Sequence, residues 1–306
     1  MNDISTLNKA WGIKGHLNFK EGAGHMPVIE IKNDFAQAVI ALQGAHILSF
    51  LAKDEEELIW VSEDAVFASK KSVRGGVPIC WPWFGAHASN TNLPSHGFAR
   101  TANWKPIASR MLEDGRTLIS LEIQQDTQTQ KLCEHPLQLK LHITVGKSLE
   151  VSLETTNLGD TSFALSQALH TYFYISDVSK VHIEGLDDCE YLDKLEHFTR
   201  KHQHGSIHIT EEVDRVYVNT GSQMRIVDTG LGRTIHIRNQ GSASVVVWNP
   251  WLETASKMGD LGEDGHLNML CVETANAFDD IVNLAAGASH VMTAEYDIQS
   301  ISGLGS

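Results

Sequence analysis

The feature that most constrains the fold is an alternation of apolar and polar residues over positions 137–157, which read LQLKLHITVGKSLEVSLETTN. Successive side chains of a β-strand point to opposite faces of a sheet, so a period of two places the apolar side chains on one face. A break at Gly146, Lys147 and Ser148 divides the alternation into two runs. The stretch therefore predicts two antiparallel strands joined by a tight turn.

Similar runs recur along the chain, each bounded by glycine, asparagine, aspartate or serine. They are PVIEIK, TLISLEIQQ, KVHIEG, RTIHIRN, SVVVWNP and HVMTAEYDIQSI. A long amphipathic helix with capping residues is not evident between them. Many short strands separated by turns are typical of two packed antiparallel sheets. We therefore expect an all-β fold, a large antiparallel β-sandwich with few short helices.

The chain shows no sign of division into domains. Its 306 residues contain no linker rich in proline or serine, no shift in composition and no repeat of fixed period. Hydrophobic residues make up 42% of the sequence, which is enough for a large core. Because β-sandwiches can exceed the usual domain length, we expect a single domain over residues 1–306.

The charge of the chain argues against a nucleic-acid or membrane partner. The sequence has 38 acidic and 24 basic residues, a formal net charge of -14, and no long basic run. Nucleic acids and anionic membranes attract basic surfaces. An anionic ligand would therefore need a locally positive pocket.

We expect a cytoplasmic monomer. Residues 1–20 lack the basic start, apolar block and cleavage site of a secretory signal, and no apolar run approaches the roughly eighteen residues of a membrane span. Cys80, Cys133, Cys189 and Cys271 are far apart and form no C-x-x-C pair, so we expect reduced thiols rather than disulfides or a metal site.

Residues 74–85, RGGVPICWPWFG, place one arginine before two glycines and an aromatic cluster. Two interpretations of the cluster are open. Trp81, Trp83 and Phe84 could line the core, or they could form the walls of a binding pocket. Arg74 favours the pocket, because its planar, five-donor cation suits a phosphate or carboxylate and the glycines permit unusual backbone angles.

A second segment, LPSHGFAR, carries His96, Gly97 and Arg100 in a loop region. Aromatic walls beside hydrogen-bonding groups suit a sugar, whose ring has apolar faces and a hydroxyl rim. Two arginines would add an anion clamp. Trp248 is a candidate for the pocket wall opposite the first aromatic cluster.

Six motifs, in order over nearly the whole chain, resemble those of the D-hexose-6-phosphate mutarotases, also called glucose-6-phosphate 1-epimerases. They are RGGVPICWPWFG, LPSHGFAR, QALHTYF, EEVDRVY, VVWNPW and CVETAN. This family belongs to the wider aldose 1-epimerase group, with its galactose mutarotase-like β-sandwich. The resemblance implies an isomerase that interconverts the α and β anomers of hexose 6-phosphates.

The resemblance also implies roles for individual residues. His170 in QALHTYF corresponds to the catalytic acid and Glu273 in CVETAN to the catalytic base. Arg74, Arg100 and Asp214 fall on substrate-binding positions.

One position departs from the family pattern. Relatives often have a substrate-binding glutamine before the histidine of LPSHGFAR, where this chain has Ser95. We expect Ser95 and the neighbouring His96 to contact the substrate.

The chemistry asks for such an acid–base pair. Anomer exchange requires a proton for the ring oxygen and removal of a proton from the C1 hydroxyl. A protonated His170 and an ionised Glu273 on opposite sides of the anomeric carbon would perform both transfers and exchange roles for ring closure. The reaction calls for no metal, nucleotide or other cofactor.

Other interpretations remain open. The chain could be an aldose 1-epimerase of free sugars, or a lectin-like sugar-binding protein without catalysis. Of His202, His204 and His208, the first two would face one side of a strand as a possible metal pair, but no acidic or cysteine third ligand lies at a diagnostic spacing, so we expect no metal there. The acidic stretch around Asp260 is typical of a solvated turn.

Overall fold

The computed structural model describes residues 3–124 and 127–301, without the side chains of residues 127 and 128. The described residues form three short α-helices, which are α1 (Ile4–Trp11), α2 (Thr127–Leu132) and α3 (Trp251–Met258). None of the helices in these two ranges is long and apolar enough to cross a membrane.

Strands make up most of the regular structure, and every pairing between the named strands is antiparallel. The larger sheet has nine strands in the order β16 (Ile207–His208), β13 (Val181–Glu184), β18 (Gln223–Asp228), β19 (Arg233–Gln240), β23 (Ser289–Ser300), β9 (Leu149–Asn157), β8 (Leu137–Val145), β7 (Thr117–Ile123) and β6 (Trp104–Met111). The eight-stranded sheet has the order β15 (Thr199–His202), β14 (Glu190–Asp193), β17 (Val213–Val218), β20 (Ser244–Asn249), β21 (Met269–Asn276), β11 (Gln167–Leu169) and β5 (Ile79–Cys80), and β12 (Tyr172–Tyr174) also pairs with β21.

Two smaller sheets complete the fold. One has four strands in chain order, which are β1 (Leu17–Glu21), β2 (Pro27–Lys32), β3 (Ala36–Ala41) and β4 (His46–Ala52). The other is the pair β10 (Phe163–Leu165) and β22 (Val282–Leu284).

The alternation over residues 137–157 forms the two expected strands, β8 and β9, with Val145 opposite Leu149 at the turn. Alternate residues of both strands are buried, as a period of two requires. The six other alternating stretches contain β2, β7, β13, β19, β20 and β23. The predicted all-β antiparallel sandwich is therefore confirmed.

The core lies between the two large sheets. Its fully buried members come from the inner faces of both, including Leu141, Ile143, Ile235, Ile237, Val245, Val247, Leu270 and Val272. Each such side chain contributes about 1.5–3 kcal/mol when it is removed from water. A hydrogen bond of 2.6 Å from the Thr274 hydroxyl to the Asn239 side chain also links the sheets. This packing holds the eight-stranded sheet rigidly in place.

The opposite face of the eight-stranded sheet, called the outer face below, carries small apolar residues. Cys80, Ala168, Val216, Val246 and Ala275 form a separate buried cluster there. Because these side chains are short, they leave room above the sheet for polar groups and a ligand.

Candidate active site

The outer face brings together polar and aromatic side chains from neighbouring strands. Asp214 on β17 lies opposite Trp248 on β20, and Glu273 lies on β21, the next strand. His170 directly follows β11, where its backbone N–H donates to the Pro78 carbonyl at 3.0 Å. Residues far apart in sequence therefore meet at one place on a rigid sheet.

His170 and Glu273 form a close, buried pair. The His170 Nδ1 lies 3.3 Å from the Glu273 Oε1, and the side chains are 12% and 1% exposed. Neither His170 Nδ1 nor Glu273 Oε2 has a hydrogen-bond partner among the described residues. Buried polar atoms normally have such partners, so beyond their own 3.3 Å contact the two groups keep hydrogen-bonding capacity that the described residues do not use.

Burial favours the uncharged form of both members of this pair. It lowers the pKa of His170 well below its usual value, and the positive charges of Arg100 and Arg74 add to the effect. It raises the pKa of Glu273 well above its usual value, and the Asp214 carboxylate adds to the effect. The ligand-free site thus favours a neutral imidazole and a carboxylic acid rather than the charged pair that the chemistry suggests. Both arrangements hold the same single proton.

Aromatic rings surround the pair. The His170 ring stacks on Tyr172 at 4.9 Å between centroids, and Trp248 meets the two rings edge-on at 5.8 Å each. Trp60 stacks on the other side of Tyr172 at 5.9 Å. Of these rings, the sequence interpretation identified only Trp248 as a wall.

Of the two open interpretations of Trp81 and Trp83, the structure favours the core over the pocket wall. Trp81 is 2% exposed and donates its indole N–H to the Thr155 hydroxyl inside the sandwich at 3.0 Å. Trp83 is buried too and donates to the Pro94 carbonyl. The core interpretation therefore holds for both, because each indole finds its polar partner within the protein. Phe84 is only half-buried, and its ring packs against His96 and the apolar cluster of the outer face.

The loop that carries His96 docks on the backbone of Trp81. Gly97 has a φ of +69°, and a Cβ atom there would overlap the Trp81 carbonyl group. The Phe98 N–H donates to that same carbonyl at 3.0 Å. The docking places the His96 ring 4.9 Å from Phe84 and 6.0 Å from His170. Burial and the nearby Arg100 and Lys194 lower the pKa of His96 to about 3, so this ring is neutral.

Arg100 approaches the pair as a cation without a carboxylate partner. Its Nη2 donates to the Ser95 carbonyl at 2.8 Å, and it forms no ion pair with any carboxylate in residues 3–124 or 127–301. Ser95 itself is exposed, and its backbone holds the arginine. Arg100 therefore supplies uncompensated positive charge.

Arg74 lies next to Tyr172. Its Nη1 donates to the Tyr172 hydroxyl at 3.3 Å, while its Nε and Nη2 donate to the two Asp260 carboxylate oxygens at 2.9 and 3.5 Å. Gly76 has a φ of +71°, and a Cβ atom there would overlap the buried His46 ring. The backbone freedom inferred from the two glycines thus serves a close approach within the protein.

The expectation of a solvated turn around Asp260 is wrong for Asp260 itself. Its side chain is 28% exposed and bonds to Arg74, 186 residues away in the chain. No local pattern in the acidic stretch distinguishes Asp260 from its neighbours, so sequence reasoning missed this contact.

Asp214 is paired with a lysine that sequence reasoning also missed. The Lys194 Nζ lies 2.6 Å from the Asp214 Oδ2, and the aspartate side chain is 14% exposed. Burial raises the pKa of Asp214, and Lys194 opposes that shift. Lys194 thus helps to keep Asp214 ionised at the edge of the site.

The site contains the expected groups but no metal-binding arrangement. Within the described ranges, no group of three His, Cys, Asp or Glu side chains is arranged to hold a metal ion. A paired acid and base, two arginines, a carboxylate and aromatic walls are suited to proton transfer on a polar, anionic small molecule.

Comparison with known proteins places this chain in a family. Residues 27–297 match the family model for aldose 1-epimerase. A protein of Escherichia coli K12 named "Putative glucose-6-phosphate 1-epimerase" is 38% identical over 253 residues, which cover 82% of this chain and 84% of the relative.

Solved structures support the same family and fold. A "putative mutarotase" from Salmonella typhimurium superposes with a TM-score of 0.88 at 32% identity, covering 96% of this chain and 99% of that chain. A galactose mutarotase-like protein from Clostridium acetobutylicum superposes with a TM-score of 0.73 over 93% of this chain and 98% of its own. At 13% identity, the second match shows the shared fold alone.

Proposed function

The chain belongs to the aldose 1-epimerase family, and on that premise we propose that it is a hexose-6-phosphate 1-epimerase acting on glucose 6-phosphate and related aldohexose 6-phosphates. The observation that carries the proposal is the buried His170–Glu273 pair, at 3.3 Å, in a site that also contains two arginines. A sugar epimerase needs an acid–base pair, and a phosphate ester on the sugar would be bound by the arginines.

In the proposed reaction His170 donates a proton to the ring oxygen while Glu273 takes the proton of the C1 hydroxyl. The bond between C1 and the ring oxygen breaks, and its electron pair stays on the oxygen that His170 protonates. The product is the open-chain aldehyde. Rotation about C1–C2 and reclosure, with the proton transfers reversed, give the other anomer.

The placement of the pair suits this reaction in a way that the sequence did not indicate. The expected arrangement had the two groups on opposite sides of the anomeric carbon, whereas His170 and Glu273 lie side by side. The ring oxygen and the C1 hydroxyl oxygen are bonded to the same carbon. An acid and a base that converge on one carbon can therefore reach both atoms.

A bound phosphate would help to set the required protonation states. A dianion near His170 offsets the repulsion by which the arginines disfavour the imidazolium ion. The single proton of the pair can then move from Glu273 to His170, which gives the acid and base that ring opening needs. The phosphate thus supports catalysis as well as binding.

We assign the remaining groups by their chemistry. Arg100 and Arg74 hold the phosphate, because guanidinium groups form paired, charge-assisted hydrogen bonds with its oxygens. Asp214 accepts hydrogen bonds from sugar hydroxyls. His96, a neutral ring facing the pair, contacts the sugar, and Ser95 contributes through the backbone carbonyl that orients Arg100.

The experiment compares wild type with His170→Ala and Glu273→Gln. Polarimetry of freshly dissolved α-glucose 6-phosphate measures turnover, and calorimetry with the equilibrated sugar phosphate measures binding. We expect each variant to lose at least about 100-fold in kcat, the typical contribution of a positioned acid or base, while binding changes little. Full activity in both variants would refute the catalytic assignment, and binding by an inactive wild type would indicate a lectin-like protein.

We also propose that the protein works as a cytoplasmic monomer without a nucleic-acid partner. The four cysteines are free thiols, as is usual in a reducing compartment, and the net charge of -14 disfavours nucleic acid. Light scattering coupled to size-exclusion chromatography tests the oligomeric state, and a mass of twice 33.8 kDa would contradict it.

A further inference from the structure

We infer that Asp260 is a specificity-determining residue that limits the affinity of the site for phosphate by occupying one edge of the Arg74 guanidinium. The inference rests on the proposed function and extends it. It concerns a carboxylate that lies outside the acid–base pair and outside the residues expected to bind substrate.

The geometry shows which donors Asp260 occupies. Its two carboxylate oxygens accept from the Nε and Nη2 of Arg74, which form one edge of the planar guanidinium. The Tyr172 hydroxyl accepts from the Nη1. Carboxylates and phosphates both bind arginine through such paired donors, so they compete for the same edge.

The contact is placed by packing rather than by chance approach. Asp260 directly precedes Leu261, which is 1% exposed and packs in a small cluster with Trp60 and Tyr172. Since Tyr172 also contacts Arg74, one cluster anchors both partners of the ion pair. Asp260 and Arg74 nevertheless remain 28% and 25% exposed, so an incoming anion can reach them.

A phosphate dianion has two ways to use Arg74, and Asp260 weakens both. The dianion can displace the carboxylate from the Nε–Nη2 edge, which costs the existing ion pair. Alternatively, it can bind the end of the guanidinium and lie beside a negative charge, which costs repulsion. An uncharged sugar meets neither penalty at the position of a phosphate.

The three cations of the site differ in whether a carboxylate neutralises them. Arg74 is paired with Asp260, Lys194 is paired with Asp214, and Arg100 has no described carboxylate partner. Arg100 therefore provides the permanent charge for the phosphate, whereas the strength of the second arginine depends on Asp260. Removing the Asp260 charge should make the clamp tighter.

The test measures binding of inorganic phosphate by calorimetry to the full chain and to Asp260→Asn. The matched control is Asp264→Asn in the same acidic stretch, since Asp264 forms no ion pair with Arg74. We expect Asp260→Asn to bind phosphate about fivefold more tightly, which corresponds to the ~1 kcal/mol of a partly exposed ion pair. The control should match wild type.

A double variant tests whether the effect acts through the arginine. In the Arg74→Ala background, Asp260→Asn should lose most of its effect on phosphate binding. Kinetics should show a lower KM for glucose 6-phosphate in Asp260→Asn than in wild type.

Several results would overturn the inference. One is that Asp260→Asn binds phosphate with the same affinity as wild type, and another is that neither protein binds phosphate. A third is that Asp260→Asn binds phosphate more weakly than wild type, which would make Asp260 only a support for Arg74. Failure of the proposed function looks different. In that case no variant accelerates anomer exchange, although Asp260→Asn still binds phosphate more tightly than wild type.

Discussion

At the scale of single residues, the His170–Glu273 pair shows that the site is built at the expense of stability. Both side chains are buried beside the small apolar cluster of the outer face, and both are driven toward their neutral forms. Groups that are uncharged when folded but ionised when unfolded weaken the fold. Active sites commonly carry this cost, because reactive groups must be desolvated.

The first prediction is that Glu273→Gln stabilises the protein, and more so as the pH rises. The folded pKa of Glu273 lies above its unfolded value of 4.5, so between the two only the folded state holds the proton. The contribution of Glu273 to the free energy of unfolding of wild type is fully present below pH 4.5. It is lost as the pH rises toward the folded pKa, by up to about 1.4 kcal/mol per pH unit. Glutamine does not titrate and avoids the loss.

Urea unfolding at pH 5 and pH 8 measures the effect, with the exposed Glu113→Gln as the control. The free energy of unfolding of Glu273→Gln should exceed that of wild type by more at pH 8. An advantage that is equal at both pH values, or larger at pH 5, would mean that Glu273 is ionised in the folded protein.

The second prediction concerns Lys194, which opposes the effect of burial on Asp214. Without this cation the pKa of Asp214 rises further, so the carboxylate becomes protonated at a higher pH. Lys194→Met should raise the KM for glucose 6-phosphate about fivefold near neutral pH, the worth of a ~1 kcal/mol interaction, and should move the acid limb of kcat/KM to higher pH.

Lys194→Arg provides the comparison, because it keeps the charge. The arginine variant should retain the wild-type pH profile. A uniform loss of activity in Lys194→Met with no movement of the acid limb would make Lys194 a structural residue only.

The site residues that the sequence predicted lie in local motifs, whereas the missed residues depend on contacts between distant parts of the chain. His170, Glu273, Arg74, Arg100 and Asp214 lie in motifs whose resemblance to a family identifies them. The other contacts depend on distant pairings, such as the Arg74–Asp260 bond across 186 residues. No local pattern encodes such a contact, so only the fold reveals it.

At the scale of elements, long strands were predictable and the short strands of the site were not. Strands β8 and β9 have nine residues each and alternate over most of their length. Strands β5, β11 and β12 have two or three residues, nearly all of them buried. With both faces covered there is no alternation to detect, and two or three residues are too few to show a period.

The third prediction tests the docking of the His96 loop on Trp81. Gly97→Ala should destabilise the protein and reduce kcat/KM for glucose 6-phosphate, because the new methyl group overlaps the Trp81 carbonyl. The loop must then move, and it carries both His96 and Arg100. We expect at least a tenfold loss of activity, since small displacements of positioned groups are costly in catalysis.

Gly205→Ala is the matched control. Gly205 has the same φ of +69°, but no atom lies within 4 Å of an added Cβ. Both variants therefore carry the backbone strain, and only Gly97→Ala carries the overlap. Equal losses in the two variants would show that the docking of this loop on Trp81 does not position the site.

At the scale of the whole molecule, the two faces of the eight-stranded sheet have different roles. The inner face of the eight-stranded sheet packs in the core of the sandwich, and the outer face carries the site. Alternation in the sequence predicted the sandwich, because burial of one face is a property of each strand. Which outer face would carry the site depends on the order of strands in the sheet, which alternation does not specify. The expectation of one domain stays a prediction.

The charge of the molecule is distributed unevenly, with cations at the site of an acidic protein. The net charge of -14 repels anions at a distance, but salt screens it beyond roughly 8–10 Å. Arg100, Arg74 and Lys194 act within that range. An acidic protein can therefore bind a sugar phosphate through a few cations that are close to the bound group.

The central claim is catalysis of anomer exchange in a phosphorylated hexose. Two-dimensional exchange NMR of glucose 6-phosphate and of free glucose, each with and without catalytic amounts of protein, tests it most directly. We predict that cross-peaks between the α and β anomers of glucose 6-phosphate grow strongly with the protein, and those of free glucose far less. Acceleration of free glucose alone, or of neither sugar, would contradict the claim.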